Sequence, residues 1–152
     1  MYFTGDGAFR DDQGNFRITG RVDDVIIVSG HNLGTAPIED AINEHEKVAE
    51  SAIVGFPHDI KGNALYGFVT LKDVINDVDL IRNEINILIS NKIGPIAKLD
   101  KVQFTNGLPK TRSGKIMRRI LRKIASKQYD DLGDISTLLN PEIVQEIRDN
   151  SI

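Results

Sequence analysis

The sequence predicts an α+β domain in which a small β-hairpin leads into a compact mixed sheet flanked by about three helices. Three observations predict this class. Short runs of apolar residues bounded by turn residues, typical of strands, recur along the chain. Residues 78–92 and 116–124 instead repeat apolar residues at helical spacing. The elements taken in order read βββ-α-β-β-α-β-α, which is typical of helices packed against a small sheet.

The hairpin is predicted at residues 8–19, which alternate around the turn signal Asp12-Gln13-Gly14-Asn15. A buried strand is expected directly after it, at residues 25–28, because Val25-Ile26-Ile27-Val28 is wholly apolar and ends at Ser29-Gly30. The remaining strands are predicted at residues 52–56, 64–71 and 102–104.

The helices have recognisable start and stop signals. Thr35-Ala36-Pro37 predicts a helix start, because proline fits the first helical turn. The amphipathic segment 78–92 is ended by Gly94-Pro95. Residues 116–124 are predicted to form the third helix, and Asn140-Pro141 is predicted to cap a possible last helix that ends near residue 150.

Composition excludes several kinds of site and partner. The chain has no cysteine, so disulfides and thiolate metal sites are excluded. Its formal net charge of −3 predicts no general attraction to nucleic acid or to anionic membranes. No apolar run approaches the roughly 18 residues of a membrane span. We therefore expect no membrane or nucleic-acid partner and a cytoplasmic location.

The basic residues are concentrated in one stretch that begins with a flexible loop. Residues 110–127 hold eight basic residues and no acidic one. Within it, Thr111-Arg112-Ser113-Gly114 delivers Lys115, a compact charge on a flexible stem that suits a phosphate whose charge shifts during reaction. The glycine spacing is wrong for a P-loop, and Ile116 stands where a magnesium-binding hydroxyl would be needed. The pattern predicts a mobile-lysine loop.

The basic helix that follows this loop has several interpretations. It could suit RNA, an anionic membrane, an acidic protein surface or solvent alone. Aromatic residues are not interleaved with its arginines. Nucleic acid is therefore the least favoured partner, and a solvated face is the simplest interpretation.

Three other patterns stay open on spacing alone. Arg21, with Asp23 and Asp24, lies between the hairpin and the buried strand, and on spacing alone a solvated turn is the favoured interpretation. The glycines of residues 29–34 could let a ligand approach the backbone, or could only form a turn. His45 lies near a predicted helix C-terminus, where a cation is favoured, and could be a simple cap.

Taken together, these segments resemble the C-terminal domain of the acetyl-CoA synthetases, in the adenylate-forming superfamily. The most specific stretch is LPKTRSGKIMRRILRKIA at residues 108–125. The other matching stretches are residues 2–8, 18–25, 28–31, 33–36, 54–62, 93–97 and 132–138. The resemblance covers nearly the whole chain, and residues 33–36 with the tail favour the acetate enzymes over propionate relatives.

The resemblance implies roles in forming an acyl-adenylate from a carboxylate and ATP. Lys115 would be the catalytic lysine that reaches the α-phosphate and the carboxylate oxygen. Asp6 would hold the ribose hydroxyls, and Arg21 would bridge ribose and phosphate. Asn32 stands where the family has an arginine that contacts nucleotide phosphate. Asp23 would be the hinge about which the domain rotates between half-reactions.

The resemblance also implies CoA and magnesium sites. Ser29 and Gly30 would line the CoA channel, and Ser90 stands where the family has a CoA-contacting arginine. A magnesium ion would bind mainly to main-chain carbonyls around Asn43, His45 and Val48.

Domain organisation and partners follow from the same resemblance. Residues 1–22 would be the end of an upstream region and the hairpin, residues 23–127 the mobile domain, and residues 128–152 a tail. A missing N-terminal adenylation domain, with acetate, ATP and CoA as substrates, is expected, so this chain alone should be inactive. The alternative is a stand-alone interaction or regulatory module. In either case Lys115 could be the substrate of a lysine acetyltransferase and deacetylase.

Overall fold

The predicted hairpin is present and forms a two-stranded sheet of its own. The computed structural model describes residues 5–152, with the side chain of Thr19 left out. Strand β1 (Asp6–Arg10) pairs antiparallel with β2 (Phe16–Arg21). The Asp11 carboxylate closes the turn by accepting the Gln13 and Asn15 N–H groups at 3.0 and 2.8 Å. No described hairpin residue belongs to either hydrophobic cluster of the main body.

The main sheet has five strands within the described residues. They are β3 (Val25–Val28), β4 (His31–Gly34), β5 (Val48–His58), β6 (Gly62–Leu71) and β7 (Lys101–Thr105). The strand order is β4-β3-β6-β5, and β7 adds to β6 in parallel, which makes the sheet mixed. Strand β4 is absent from the sequence-based prediction, and β5 and β6 are longer than predicted.

Helices cover both faces of this sheet. Helices α1 (Thr35–Asn43) and α2 (Val78–Lys92) pack on one face, and α3 (Arg118–Ala125) and α4 (Pro141–Asp149) on the other. Side chains alternate across a strand, so Leu65 and Val69 of β6 meet the first pair while Tyr66 and Phe68 meet the second. All four of these strand side chains are fully buried.

The predicted fold class is confirmed, with four α-helices among residues 5–152 rather than about three. The possible last helix is α4. Residue Asn140 directly precedes it, but the Asn140 side chain makes no capping hydrogen bond to it. The predicted tail is tied into the same core, because Gln103 accepts the Tyr66 hydroxyl at 2.7 Å and donates to the Ile147 carbonyl at 2.9 Å.

The domain boundaries proposed from the sequence stay a prediction. Across residues 5–152, none of the helices is both long and apolar enough to cross a membrane.

Candidate functional site

The lysine loop is a tight hairpin that presents Lys115 to solvent. Lys110 and Ile116 pair antiparallel at its base. The Thr111 N–H donates to the Lys115 carbonyl at 2.9 Å, and the Lys115 N–H donates to the Thr111 hydroxyl at 3.1 Å. Gly114 turns the chain with φ of +84°, in the left-handed region that favours glycine. The backbone of Lys115 is therefore fixed while its side chain is exposed.

Within residues 5–152, the Lys115 ammonium makes neither an ion pair nor a hydrogen bond with another residue. Some other lysines of the described chain form ion pairs, for example Lys110 with Glu50 at 2.6 Å. An unpaired, exposed ammonium on a fixed backbone can move to meet an anion without first breaking an ion pair.

Helix α3 follows the loop as an amphipathic basic helix. Its apolar side chains Ile120, Leu121 and Ile124 are buried against the sheet. Arg119 and Arg122 are exposed on its opposite side. The apolar spacing that predicts this helix therefore also predicts which side carries the positive charge.

A cleft of about 400 Å³ lies between the segment that links the hairpin to the main sheet and the start of this helix. It is lined by Arg21, Asp23, Asp24, Ile116, Met117, Arg118, Arg119 and Arg122. The fold thus brings Arg21 and Asp23 to the residues that directly follow Lys115. Four arginines line this open cleft. Arg21 and Arg118 are ion-paired, and Arg119 and Arg122 add hydrogen-bond donors suited to a phosphate or other polyanion.

Arg21 and Asp23 form an ion pair at the mouth of this cleft. Arg21 Nε donates to Asp23 Oδ1 at 2.9 Å, and this hydrogen bond is the main cause that holds the pKa of Asp23 below its usual value. Arg122 donates to the Asp23 carbonyl at 3.4 Å. Asp6 faces Arg21 across the β1–β2 hairpin. The predicted hinge, ribose and phosphate residues are therefore neighbours.

A partly buried ion pair, which the sequence analysis does not predict, holds the start of α3. Arg118 Nη2 donates to Glu39 Oε2 at 2.6 Å, and Glu39 Oε1 accepts the Ile53 N–H at 2.9 Å. Burial raises the pKa of Glu39, and hydrogen bonds from Ile53 and Arg118 oppose that rise. An acidic residue within the apolar stripe of α1 is the sequence signal that could have indicated a partner for it.

The residues predicted to line a CoA channel are not among those that line the arginine-lined cleft. Ser29 and Gly30 form the two-residue turn between β3 and β4, both with positive φ (49° and 81°), as in a type I′ hairpin. Ser90 is half-buried in the last turns of α2. Asn32 is exposed on β4 opposite Ile27 and does not line the cleft either.

The side chains predicted near a magnesium ion are engaged elsewhere. Asn43 Oδ1 accepts the Ser51 hydroxyl at 2.9 Å, and Val48 is buried in the core. The His45 ring lies between the Lys47 N–H, 3.3 Å from Nδ1, and the Glu84 carboxylate, 3.0 Å from Nε2. No group of three acidic, histidine or cysteine residues in the described chain could hold a metal. These side chains do not fit a magnesium centre, and carbonyl ligation there stays a prediction.

Comparison with known proteins finds a matching domain family and similar proteins. The sequence profile of the AMP-binding enzyme C-terminal domain matches residues 37–115. Acetyl-coenzyme A synthetase of Leptospira biflexa is 58% identical over 149 residues, 98% of this chain and 23% of that protein. Acetyl-coenzyme A synthetase 1 of Pseudomonas aeruginosa is 58% identical over 97% of this chain and 23% of its own length. The chain thus spans about a quarter of these curated relatives.

Solved structures share the fold. A Brucella canis acyl-CoA synthetase superposes with a TM-score of 0.64 at 33% identity, over 79% of this chain and 22% of that one. An anthranilate CoA ligase in complex with anthranoyl-AMP superposes with a TM-score of 0.73 at 28% identity, over 84% and 25% of the two chains. With the profile matching more than half of its residues, this chain belongs to the AMP-binding enzyme C-terminal domain family.

Proposed function

We propose that this chain is the mobile C-terminal domain of an AMP-forming acetate–CoA ligase, with Lys115 as its adenylation lysine. In that reaction an acetate oxygen attacks the α-phosphate of ATP, giving acetyl-adenylate and diphosphate. The CoA thiol then displaces AMP to give acetyl-CoA. The observation that carries the proposal is the exposed, unpaired Lys115 on a fixed hairpin beside a cleft lined by Arg21 and Asp23.

Each residue in or next to this cleft would have a role that its chemistry permits. The Lys115 ammonium would stabilise the negative charge that develops between the acetate oxygen and the α-phosphate. Arg21 offers donors to phosphate, and the Asp6 carboxylate offers two acceptor oxygens to ribose hydroxyls. Asp23 follows the separate hairpin sheet and precedes the main sheet, which is where a hinge would act.

The second half-reaction would use another surface of the domain. Ser29 and Gly30 form a narrow exposed turn at the end of the β3–β4 hairpin, and nothing lies within 4 Å of a Cβ built on Gly30. A CoA chain could pass close to this backbone. Magnesium would enter as the counterion of ATP, and no step is assigned to a metal held by this chain.

The proposal is tested by separating the two half-reactions in the complete protein that contains this chain. Lys115→Ala should lower acetate-dependent adenylation at least about 100-fold, because charge stabilisation in the transition state is lost. Acetyl-CoA formation from supplied acetyl-adenylate should stay within about threefold, since Lys115 is used in the first step only. Lys72→Ala, an exposed lysine at another cleft, is the matched control. Full adenylation by Lys115→Ala would refute the role of the lysine.

The chain by itself should not catalyse adenylation. Its matched relatives are about four times longer, since it covers 23% of their length. The arginine-lined cleft is open and offers no enclosed apolar pocket for an acyl group. We expect no acetate-dependent diphosphate release by the purified chain at any ATP concentration, and sustained release would contradict this assignment.

Acetylation of Lys115 would provide control of the same step. The ammonium is exposed, so an acetyltransferase could reach it, and acetylation would remove the charge that the adenylation step needs. Peptide mapping after incubation of the chain with a lysine acetyltransferase should find Lys115 modified ahead of Lys110, which is paired with Glu50. Equal modification of both would argue against a selective site.

A further inference from the structure

The side chain of Asn140, the residue before α4, is hydrogen-bonded to the base of the lysine loop. Asn140 Nδ2 donates to the Leu108 carbonyl at 2.9 Å, and the Lys110 N–H donates to Asn140 Oδ1 at 3.1 Å. One partner is a carbonyl and the other an N–H, so only one orientation of the amide satisfies both. The Asn140 amide therefore holds the backbone of the segment that enters the loop, and these two hydrogen bonds form the Asn140 clip.

This use of Asn140 departs from what its position would ordinarily dictate. Asn140 directly precedes α4, where asparagine is favoured because its side chain caps the first N–H groups of the helix. Here the side chain makes no capping hydrogen bond, and the amide is turned to the loop instead. The Asn140 amide could bond either to the first N–H groups of α4 or to the loop, and in this structure it bonds to the loop.

Main-chain contacts on both sides of residues 110–111 add to this attachment. Leu139 N–H donates to the Lys110 carbonyl at 2.9 Å, and Thr111 pairs antiparallel with Leu138. On the opposite side, Lys110 pairs with Ile116. Residues 110–111 therefore lie between the outgoing side of the loop and the C-terminal segment, like the middle strand of three.

The C-terminal segment that holds the loop is itself packed into the hydrophobic core. Leu138 is 6% exposed, and Ile143, one turn into α4, is 7% exposed. Lys115 is fixed to Thr111 by two hydrogen bonds, and Thr111 is fixed in turn by Leu138. A continuous set of contacts thus runs from the buried α4 to the backbone of the exposed lysine.

We propose that Asn140 is a positioning residue for Lys115, and that residues 138–140 set the placement of the lysine loop in the adenylation step. The inference rests on the proposed function for its catalytic consequence, though not for its structural one. Stabilising charge in a transition state requires the donor close to the reacting atoms, and a displacement of about 1 Å can cost about 100-fold in rate.

The first test measures the local stability of the lysine loop in this chain by amide hydrogen exchange, and it requires no enzymatic activity. Asn140→Ala should increase amide hydrogen exchange at Thr111, Gly114 and Lys115 about tenfold, because loss of the clip lowers the local opening free energy. Asn140→Asp keeps an acceptor for Lys110 but faces the Leu108 carbonyl with an oxygen, so it should give an intermediate increase. Asn150→Ala is the matched control, since Asn150 donates only to the Glu146 carbonyl of its own helix. Unchanged exchange in Asn140→Ala would overturn the proposal.

The second test measures the half-reactions of the complete protein. Asn140→Ala should lower the kcat of adenylation about 10- to 100-fold with a small change in KM for ATP, while thioester formation from supplied acetyl-adenylate is unchanged. Asn140→Asp should fall between the wild type and Asn140→Ala. Equal losses in both half-reactions, or the same loss in Asn150→Ala, would indicate a general effect of the tail and overturn positioning.

The two proposals can fail separately. If Lys115→Ala adenylates normally, the proposed function fails, while the exchange result for Asn140→Ala still decides whether the clip holds the loop. If Lys115→Ala is inactive but Asn140→Ala adenylates like the wild type, the catalytic lysine stands and the positioning role of Asn140 fails.

Discussion

Glu39 carries a carboxylate into the protein interior at the edge of the main sheet. Its Oε1 accepts the Ile53 N–H of β5, an edge-strand donor, and its Oε2 accepts Arg118 Nη2. Glu39 is 8% exposed, so the charged form depends on these donors. The pair reaches from α1 around the edge strand to α3 and fixes the third residue after Lys115.

Removing Arg118 should therefore have an effect on stability that depends on pH. Arg118→Ala should lower the free energy of unfolding by about 3 kcal/mol at pH 7, because a buried carboxylate loses its cation. Burial already raises the pKa of Glu39, and losing Arg118 raises it further, so the folded state holds the proton more tightly than the unfolded state. Stability from this group is present at low pH and lost as the pH rises through the folded pKa.

The measurement is denaturant unfolding of both proteins between pH 4.5 and pH 8. The cost of Arg118→Ala should be largest at neutral pH and should shrink as Glu39 takes up its proton in mild acid. Arg112→Ala, an exposed arginine of the loop, should cost less than about 0.5 kcal/mol throughout. A cost for Arg118→Ala that is the same at every pH would show that Glu39 is not the group responsible.

At the scale of elements, the Ser29–Gly30 turn sets the β3–β4 hairpin and can be tested by backbone conformation alone. Gly30 has φ of +81° with nothing near a built Cβ, so Gly30→Ala should cost about 1 kcal/mol from strain without a clash. Ser29 has φ of +49°, and Ser29→Asn should stabilise by a few tenths of a kcal/mol because Asn-Gly is the favoured pair in such turns.

Thermal unfolding of the two variants beside Gly107→Ala checks this interpretation. Gly107 is not in the left-handed region, and a Cβ built on it would lie 3.6 Å from Ile143, an ordinary contact. Its replacement should change stability by less than about 0.5 kcal/mol. If Gly30→Ala and Gly107→Ala cost the same, the turn conformation is not what limits substitution at Gly30.

How far the elements could be predicted from sequence depends on whether their signal is local. The boundaries of α2 match the apolar period of residues 78–92, and the hairpin turn follows its glycine and asparagine. Strand β4 was missed because His31–Gly34 has one large apolar residue, and pairing with β3 stabilises it. Helix α3 was predicted, but the Glu39–Arg118 pair spans 79 residues of sequence, which no local pattern indicates.

The residues of the candidate site also differ in whether a local sequence pattern indicates them. Lys115 was found because its loop composition and the basic run are local features of the sequence. That Arg21 and Asp23 lie close to its loop depends on how the hairpin and α3 come together in the fold, and the Asn140 clip depends on α4 packing on the sheet. Asn140 in the sequence indicates the start of α4, which is confirmed, but the predicted side-chain cap is absent because the amide bonds to the loop instead.

For the whole molecule, the two ends of the chain are predicted to contribute very differently to stability. Helix α4 buries Ile143, Val144 and Ile147 against the sheet, and each such side chain contributes about 1.5–3 kcal/mol. The described hairpin residues contribute nothing to either hydrophobic cluster, and Phe9, Phe16 and Ile18 are more than 60% exposed. The predicted tail is thus part of the folded core, whereas the hairpin is peripheral to it.

Deleting residues 128–152 should therefore abolish cooperative unfolding, because the losses approach the about 5–15 kcal/mol that stabilise a whole domain. Exposure of Tyr66 and Phe68 should also increase binding of a hydrophobic dye. Deleting residues 1–21, a segment of similar length, should leave a cooperative transition within a few degrees of the intact chain. A tail deletion that melts like the intact chain would place residues 128–152 outside the folding unit, since a core that has lost α4 could not retain the same thermal stability.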